Sequence, residues 1–237
     1  RFGPDLIFVD EEPWSLVALQ IYALFPRVPK VFYTKQNLRK KVPPPFSWIQ
    51  RFVFGSSRGA FVISSEAEEV LRWKRYGGKA TVLPHSLNGE KFRRLSPEAR
   101  RENRLWFDLP EQGFVVGYFG RLTEEKGVRD LLTAAERLST DREGPKPVIL
   151  LCGNGPLEKE VRSAAERFPD LLKWMPALPH AEVHSLMAVV DATVLPSRTT
   201  PRWKEQFGRV IIESAACGTP VIGSDSGEIP HLIGRLG

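Results

Sequence analysis

Two cations close to the start of a predicted helix could bind phosphate groups. Arg121 and Lys126 lie in the sequence GRLTEEKG (120–127), between a strand that ends at Gly120 and a helix predicted over 127–138. An arginine offers a planar fork to phosphate oxygens, and a lysine offers a compact positive charge. The N–H groups and the dipole of a helix N-terminus add to the attraction. This loop could therefore hold a diphosphate, although a surface loop with an ordinary helix cap would have a similar sequence.

Two acidic residues flank the start of another predicted helix. Glu205 precedes Phe207 and Gly208, and Glu213 lies inside the mostly apolar helix predicted over 208–218. A buried carboxylate without a partner is costly, so Glu213 needs a hydrogen-bond donor. Free N–H groups at the helix start could bind phosphate oxygens, while the carboxylates could accept hydrogen bonds from sugar hydroxyls. The alternative is that Glu213 pairs with a neighbouring arginine and that Glu205 is solvated.

Two further loops carry weaker signals. The sequence CGNGP (152–156) contains glycines that let a ligand approach the backbone, but it has neither a G-x-G-x-x-G pattern nor a Walker A lysine. It therefore predicts neither a dinucleotide site nor a P-loop, and its glycine and proline could simply begin a helix. His180 precedes a helix predicted over 181–190, where a histidine is more often a cap or a surface residue than a catalyst.

The elements that must position these loops alternate between strand and helix. Such alternation is typical of βαβ units with a parallel sheet, whose ligands bind at the carboxyl ends of the strands. A polar, highly charged stretch with several prolines separates the two halves, so we predict a first domain over 1–95, a linker over 96–113 and a second domain over 114–237. The predicted strands are 5–10, 30–34, 60–65, 80–84, 114–120, 147–153, 171–175, 192–197 and 220–225, and the predicted helices are 13–25, 45–58, 65–77, 127–138, 156–168, 181–190 and 208–218.

The positive charge is concentrated in the first half of the chain. The 237 residues carry 34 Lys and Arg and 28 Asp and Glu, and residues 1–100 alone carry 17 basic and 9 acidic side chains (17 − 9 = +8). No acidic residue occurs between Pro13 and Ser65, so this half should attract phosphates, unless it is a merely solvated basic face. Two cysteines exclude a disulfide framework, and no apolar run approaches the roughly 20 residues of a membrane-spanning helix.

A basic run followed by aromatic residues suits contact with an anionic membrane surface. The alternative is that the aromatic residues belong to the core. The basic residues are Arg39, Lys40 and Lys41, and the aromatic residues are Phe46, Trp48 and Phe52.

Taken in order, these loops resemble family 4 of the retaining glycosyltransferases with the GT-B fold (glycosyl transferases group 1). The matching segments are GRLTEEKG, GNGP, VLPS and KEQFGRVIIESAACGTPVIGSDSGEIPHLI, and the E-x7-E pair of that family falls on Glu205 and Glu213. The resemblance is specific over 114–233 and less specific over 4–92, which resembles part of the acceptor-side domain. It implies two Rossmann-like, doubly wound parallel-sheet domains facing a cleft, with the first domain incomplete and the last helices absent. It also implies a longer parent enzyme, of which 1–237 would be a fragment with little activity of its own.

The resemblance further implies a reaction and a role for each residue. A sugar would move from a UDP- or GDP-type sugar nucleotide to a glycan or lipid-linked acceptor, with retention of configuration and without a metal or other cofactor. Arg121 and Lys126 would hold the diphosphate, Glu213 the ribose and Glu205 the donor hexose. The enzyme would be cytoplasmic, peripheral on an anionic membrane, active in cell-envelope polysaccharide synthesis, and without nucleic-acid partners, whose usual signatures are absent. The remaining donor-binding residues would be Gly120, Gly155, Phe207, Gly208, Arg209 and Val210.

Two positions depart from the family pattern. Gln36 is the acceptor-side candidate and stands where many relatives have a histidine; a glutamine can hydrogen-bond a sugar but cannot act as a base. Pro176 replaces a glycine after the third strand of the second half and removes one backbone donor. In a front-face retaining reaction the departing phosphate can take the acceptor proton, so no base is required. The rival hypotheses are a sugar-nucleotide epimerase and a nucleotide- or nucleic-acid-binding module.

Overall fold

The computed structural model describes residues 3–141, 144–180 and 182–236. The chain divides into two compact units, which we call unit 1 (Arg1–His85) and unit 2 (Ser86–Gly237). Each unit contains one parallel sheet with helices between the strands, so the predicted α/β class with two parallel sheets is confirmed. Within the described ranges, every helix is too short or too polar to cross a bilayer.

Unit 1 is a four-stranded parallel sheet whose strands lie in the order of the sequence. Parallel neighbours cannot be joined by a tight hairpin, so a crossover helix separates each of the first three strands from the next one in the chain. The strands are β1 (Ile7–Val9), β2 (Lys30–Thr34), β3 (Gly59–Val62) and β4 (Ala80–Val82), and the helices are α1 (Leu16–Leu24), α2 (Phe46–Ser56) and α3 (Ser65–Trp73).

The third helix begins at the predicted residue but ends earlier than predicted. Its N-cap is Ser64, whose Oγ accepts a hydrogen bond from the backbone N–H of Ala67 at 3.2 Å. Ser65 is therefore the first helical residue. At the other end, Arg75 adopts the left-handed conformation (φ +67°), so the helix stops before residue 77, where the sequence predicted its end. The Ser64 cap explains where the helix begins, and the left-handed backbone of Arg75 explains where it ends.

One lysine of the basic half is buried in unit 1 rather than displayed on its surface. Lys30 is 2% exposed, and its Nζ donates hydrogen bonds to the carbonyl oxygens of Phe25 at 2.6 Å and Val28 at 2.7 Å. Burial lowers the pKa of this ammonium. Lys30 therefore contributes to the interior and not to the basic surface inferred from the sequence.

The second helix buries one face and exposes an aromatic one. Ile49 and Val53 are buried, whereas Trp48 and Phe52 are exposed. These two aromatic residues therefore do not belong to the core of unit 1.

Unit 2 contains a five-stranded parallel sheet in the order β7-β6-β5-β8-β9. The chain moves outwards from β5 on one side, through β6 and β7, and then returns to place β8 and β9 on the other. The strands are β5 (Val115–Phe119), β6 (Val148–Cys152), β7 (Leu172–Met175), β8 (Ala192–Leu195) and β9 (Val221–Gly223). The helices are α4 (Pro97–Trp106), α5 (Val128–Thr140), α6 (Glu158–Arg167), α7 (Val183–Met187), α8 (Arg209–Ala216) and α9 (Ile229–Leu236).

Two predicted boundaries differ from the structure. The first position of the helix predicted over 181–190, Ala181, lies outside the described residues, and the observed helix α7 is shorter. The segment predicted as a linker over 96–113 contains α4, and the units divide after His85 rather than near residue 95.

A buried arginine attaches this segment to unit 2. Arg104 is 3% exposed, and its Nη2 lies 2.6 Å from Oδ2 of Asp191, while its Nε donates to the carbonyl oxygen of Val189 at 2.9 Å. The same carboxylate oxygen accepts the N–H of Val115 at 2.7 Å. Composition marked the segment as polar, but the ion pairs of Arg104 and Arg100 with Asp191 make it part of the fold of unit 2.

The strand order of unit 2 produces a switch point between β5 and β8. The connections that leave these neighbouring strands diverge to opposite sides, which opens a crevice at their carboxyl ends. The loops after β5, β6 and β8 all reach this edge of the sheet, and they are the loops that the sequence marked for chemistry.

Candidate functional site

A cavity of about 390 Å³ lies at the carboxyl ends of β5, β6 and β8 in unit 2. This volume is in the range of small-ligand sites. Among the described residues, its polar and charged lining comes from four separate segments of the chain. The lining includes Tyr118, Gly120, Lys126, Gly153, His180, Glu205, Gly208, Arg209, Val210 and Glu213.

A tight turn after β5 positions the lysine. Lys126 ends a short 3-10 turn (Glu124–Lys126) and is followed by Gly127, which has a left-handed conformation (φ +71°). A side chain at Gly127 would collide with the carbonyl oxygen of Pro196, because this turn packs directly on the loop after β8. The close approach requires glycine, and it holds Lys126 against the residues that follow β8.

Lys126 and Glu205 form an ion pair inside the cavity. Nζ of Lys126 lies 2.6 Å from Oε2 of Glu205, and the two side chains are 19% and 9% exposed. The same Oε2 accepts a hydrogen bond from Oγ of Ser197 at 2.8 Å. Nζ also lies 4.9 Å from the ring centre of Trp203. Glu205 is therefore buried and paired, and the alternative of a solvated Glu205 is wrong.

The backbone of Glu205 is held as closely as its side chain. Its N–H donates to Oγ of Ser226 at 3.2 Å, and its carbonyl oxygen accepts the N–H of Glu228 at 3.4 Å. Gly227 (φ +56°) lies so close that an added side chain would collide with the carbonyl of Glu205. The segment after β9 thus fixes the position of this carboxylate.

Glu213 lies on the first turns of α8, and it too is paired. Gly208 (φ +78°) is the N-cap of this helix, and Glu213 is 7% exposed. Its Oε1 lies 2.7 Å from Nε of Arg209 and 3.1 Å from Nε2 of His180. The alternative in which Glu213 pairs with a neighbouring arginine is therefore observed. Both residues of this pair still line the cavity, so the pairing does not remove Glu213 from the site.

A buried tyrosine supports the loop that carries Arg121. The hydroxyl of Tyr118 donates to the carbonyl oxygen of Arg121 at 2.6 Å. Burial, together with the charge of Glu205, raises the pKa of Tyr118. The phenol therefore stays neutral and holds the turn after β5 as a hydrogen-bond donor.

The structure brings together most, but not all, of the predicted site residues. Gly120, Lys126, Glu205, Gly208, Arg209, Val210 and Glu213 line the cavity. Arg121 does not: its side chain is 70% exposed, and its Nη2 lies 3.6 Å from Oε1 of Glu125. Phe207 is buried beside the cavity. Gly155 lies where a side chain would collide with the backbone of Leu122, so this glycine serves the contact between two loops.

The acceptor-side candidate lies in unit 1, in a setting that the sequence did not reveal. The side-chain oxygen of Gln36 accepts a hydrogen bond from Nζ of Lys74. The backbone N–H of Gln36 donates to Oγ1 of Thr34 at 3.3 Å. Gln36 and Lys74 border a small cavity of about 10 Å³, roughly the size that one water needs. Gln36 is thus oriented by a lysine from the C-terminal end of α3.

Two contributors to the cavity were missed by sequence reasoning. Ser197 ends the segment VLPS, so a signal was present, but a serine after a strand is too common to stand out. His180 was expected to be a cap or surface residue, and its side chain is indeed 58% exposed; sequence reasoning missed that its ring lies 3.1 Å from Oε1 of Glu213 and 2.8 Å from Nη2 of Arg209. Its position before a helix gave no hint of a partner 33 residues further along the chain.

Comparisons with known proteins assign the chain to a family and agree with the fold. The family model for glycosyl transferases group 1 matches residues 100–236. The 2-deoxystreptamine N-acetyl-D-glucosaminyltransferase of Streptomyces fradiae is 34% identical over 157 residues, which are 65% of this chain and 36% of that protein. The 2-deoxystreptamine glucosyltransferase of Streptomyces kanamyceticus is 23% identical and aligns with 100% of this chain and 63% of its own length.

A solved structure shows the same fold. HepE of Anabaena in complex with UDP and glucose superposes with a TM-score of 0.74 and 21% identity, covering 96% of this chain and 61% of that one. The chain thus spans less than two thirds of each of these relatives. The model match over more than half of the chain, together with the GT-B fold, shows that the chain belongs to the glycosyl transferases group 1 family.

Proposed function

We propose that the chain belongs to a retaining glycosyltransferase that moves a hexose from a UDP- or GDP-type sugar nucleotide to a glycan or lipid-linked acceptor. The observation that carries this proposal is that Lys126, Glu205 and Glu213 line one cavity, although they are separated by up to 87 positions (213 − 126). One cation and two carboxylates match a ligand that has both phosphate oxygens and sugar hydroxyls. The names of the two relatives specify N-acetyl-D-glucosaminyl and glucosyl transfer, and HepE was solved in complex with UDP and glucose.

Lys126 would stabilise the diphosphate as it departs. An ammonium has three donors, and in the described structure Glu205 uses one of them, so two remain for phosphate oxygens. Fixed positive charge at the point where negative charge develops lowers the barrier most when water is excluded. Arg121 would join by exchanging its exposed contact with Glu125 for a phosphate. These cations would supply the charge that a metal supplies in other transferases.

Glu213 would bind the ribose. Its contacts with Arg209 and His180 both go to Oε1 within the described residues, which leaves Oε2 for a ribose hydroxyl. The first N–H groups of a helix have no intrahelical acceptor, and the start of α8 lines the cavity at Gly208, Arg209 and Val210. They would bind phosphate and sugar oxygens. The arrangement explains why the helix begins at a left-handed glycine.

Glu205 would face the hexose near its anomeric carbon. In a front-face reaction the bond between the anomeric carbon and the phosphate oxygen breaks, and the acceptor oxygen bonds to the same face of the sugar. The acceptor proton passes to the departing phosphate, so the products are the glycoside and the nucleoside diphosphate with configuration retained. Neither Glu205 nor Gln36 has to act as a base, since Glu205 is paired with a cation and an amide cannot take a proton.

Nucleotide binding tests the site assignment. Titration calorimetry with UDP, GDP and their glucose and mannose esters would identify the base, and Glu213→Gln would then weaken the best ligand. Losing a charge-assisted hydrogen bond costs roughly 1.5–3 kcal/mol, or about 10- to 150-fold in Kd. Glu136→Gln is the matched control, because Glu136 is an exposed carboxylate of the same unit. Equal affinity for the wild type and Glu213→Gln would overturn the assignment.

The proposed retention and metal independence need a measurement on the product. Proton NMR of early product reports whether the new glycosidic bond keeps the anomeric configuration of the donor. The proposal predicts retention, and it predicts the same rate with and without EDTA. An inverted product, or activity abolished by EDTA and restored by a divalent cation, would contradict it.

We further propose peripheral association of the protein with an anionic membrane on the cytoplasmic side. The exposed Trp48 and Phe52 project from α2, and Lys40 and Lys41 precede that helix on exposed positions. Aromatic side chains beside cations suit the interface of an anionic bilayer. Flotation with phosphatidylglycerol vesicles should therefore recover the wild type at low salt, but not Trp48→Ser/Phe52→Ser. Absence of wild-type binding would exclude the association.

A further inference from the structure

Unit 1 contains a cavity whose lining is dominated by positive charge. Its volume is about 350 Å³, and it lies between the segment before α2, the middle of α2 and the C-terminal end of α3. Four of its seven lining residues are cations, and none is acidic. The lining residues are Lys40, Lys41, Val42, Gln50, Trp73, Lys74 and Arg75.

Lys74 is the least exposed of these cations, and its partners are neutral. Nζ donates to the side-chain oxygen of Gln50 at 3.3 Å and to that of Gln36. Burial lowers the pKa of Lys74 to about 8, and the charge of Glu12 acts in the opposite direction. The carboxylate of Glu12 already accepts hydrogen bonds from Oγ1 of Thr34 and the N–H of Lys35. A half-buried ammonium in this setting would gain from an anion in the cavity.

Arg75 reaches the cavity at a cost in backbone energy. It adopts the left-handed conformation at the end of α3, where glycine is the usual residue. That conformation is unfavourable by roughly 1–2 kcal/mol for a side chain with a Cβ. Two glycines follow at positions 77 and 78 but do not occupy the strained position. The strain places a guanidinium at the cavity that a glycine would not supply.

Three cations near the cavity lie beside carboxylates, whereas the four cations that line it do not pair with a carboxylate in the described part of the chain. Arg39 and Arg72 lie 3.9 Å and 3.3 Å from carboxylates, and Lys35 lies 3.2 Å from Asp10. Over the described ranges of the chain, no ion pair involves any of the four cavity cations. The dipole of α3 favours cations at its C-terminal end, which accounts for Lys74 and Arg75. It does not account for Lys40 and Lys41, which come from a different segment.

We propose that this cavity binds a phosphate or diphosphate group through Lys40, Lys41, Lys74 and Arg75. Resting on the proposed function, the phosphate belongs to the acceptor, either a soluble sugar phosphate or a lipid-linked diphosphate. Lys74 then links the anion to Gln36, since its ammonium already holds the side-chain oxygen of that residue. A phosphorylated acceptor is thus anchored by charge while its hydroxyl groups are positioned by the amide.

The test is a titration of the 237-residue chain with inorganic pyrophosphate, followed by NMR of assigned backbone amides. Shifts at residues 40–42 and 73–76 report the cavity in unit 1, and shifts at residues 120–127 report the cavity in unit 2. Missing shifts at residues 120–127 would count against the proposed donor site, and missing shifts at residues 40–42 and 73–76 would count against this proposal, so the two failures are distinguishable. We expect saturable shifts at 40–42 and 73–76, weakened at least tenfold by Lys40→Gln/Lys41→Gln.

The matched control removes the same charge from positions outside the cavity. Arg51→Gln/Arg58→Gln lowers the net charge of unit 1 by two, and it should change the affinity less than twofold. Equal weakening by both double variants would mean that only the general field of the unit attracts the anion, and would overturn the proposal. So would the absence of shifts at 40–42 and 73–76 in the wild type.

The source of the phosphate is resolved with vesicles. Phosphatidylcholine vesicles containing phosphatidic acid present a phosphomonoester, and those containing phosphatidylglycerol present only a diester. If Lys40→Gln/Lys41→Gln abolishes flotation with the first kind but not with the second, and Arg51→Gln/Arg58→Gln keeps both, the cavity is assigned to a lipid phosphate; loss with both kinds assigns the two lysines to general contact with an anionic surface and overturns the lipid assignment. Pyrophosphate binding with no such difference in flotation assigns it to a soluble ligand.

Discussion

The ion pair between Lys126 and Glu205 makes a quantitative prediction that does not depend on any substrate. Lys126→Met leaves the carboxylate of Glu205 without its cation at a position only 9% exposed. Removing one member of a buried pair costs about 3–5 kcal/mol. The hydrogen bond from Ser197 remains and the cavity is open to water, so we take the lower end, about 3 kcal/mol.

The size of the effect is set by the negative charge of Glu205, which loses the ammonium of Lys126. Lys126→Met/Glu205→Gln removes both charges, so it should cost less than Lys126→Met alone. The double-mutant cycle should give a coupling of about 2 kcal/mol or more. The control is the exposed pair Arg167 and Glu136, whose coupling should stay below about 1 kcal/mol.

Thermal unfolding is the assay. For a unit of this size 1 kcal/mol shifts Tm by roughly 2–4 °C, so Lys126→Met should lower the Tm of unit 2 by about 6–12 °C. Urea unfolding of all four members of the cycle then supplies the coupling energy. A coupling no larger than that of the Arg167 and Glu136 control would refute the view that Glu205 is a buried carboxylate held by Lys126.

Three further outcomes follow from particular contacts. Gly227→Ala should lower stability by at least about 1–3 kcal/mol, because the residue has a positive φ and its new methyl group would meet a backbone carbonyl; urea unfolding measures the change. Arg104→Met should cost about 3 kcal/mol, the lower end for a broken buried pair, because Asp191 loses its buried partner but keeps Arg100 at 2.7 Å; a wild-type midpoint in urea unfolding would contradict the attachment of α4 to unit 2 through Arg104. Burial raises the pKa of Cys217 to about 11, so a disulfide reagent at about pH 8 should modify it slowly in the folded chain and fast in urea; fast modification of the native protein would show the thiol to be accessible.

The sequence was sufficient to locate the candidate site because parallel sheets have a simple geometry. Strand and helix alternation places every strand-to-helix loop at one edge of the sheet. Lys126, Glu205 and Glu213 follow or flank such loops, so their convergence could be expected without coordinates. Loop position alone could not place the side chain of Arg121, because the direction of an exposed side chain depends on which nearby groups it can bind. In the structure its guanidinium lies 3.6 Å from the carboxylate of Glu125, four residues later.

Contacts between distant residues were beyond the reach of sequence reasoning. Nothing near His180 indicates that its ring meets Glu213, and nothing near Lys74 indicates that it holds Gln36. Burial of single polar residues was equally hidden. The sequence predicts that Lys30 belongs to a basic surface, yet it lies inside unit 1, where two carbonyl oxygens accept hydrogen bonds from its ammonium.

The central claim is that the cavity at the carboxyl ends of β5, β6 and β8 holds a nucleoside diphosphate sugar. A crystal structure of the chain grown with UDP or GDP, whichever binds more tightly, examines it most directly. The account predicts density for the ligand in this cavity, with its phosphates within hydrogen-bond distance of Lys126 and its ribose against Glu213. Density at another place on unit 2, or a ribose remote from Glu213, would contradict it.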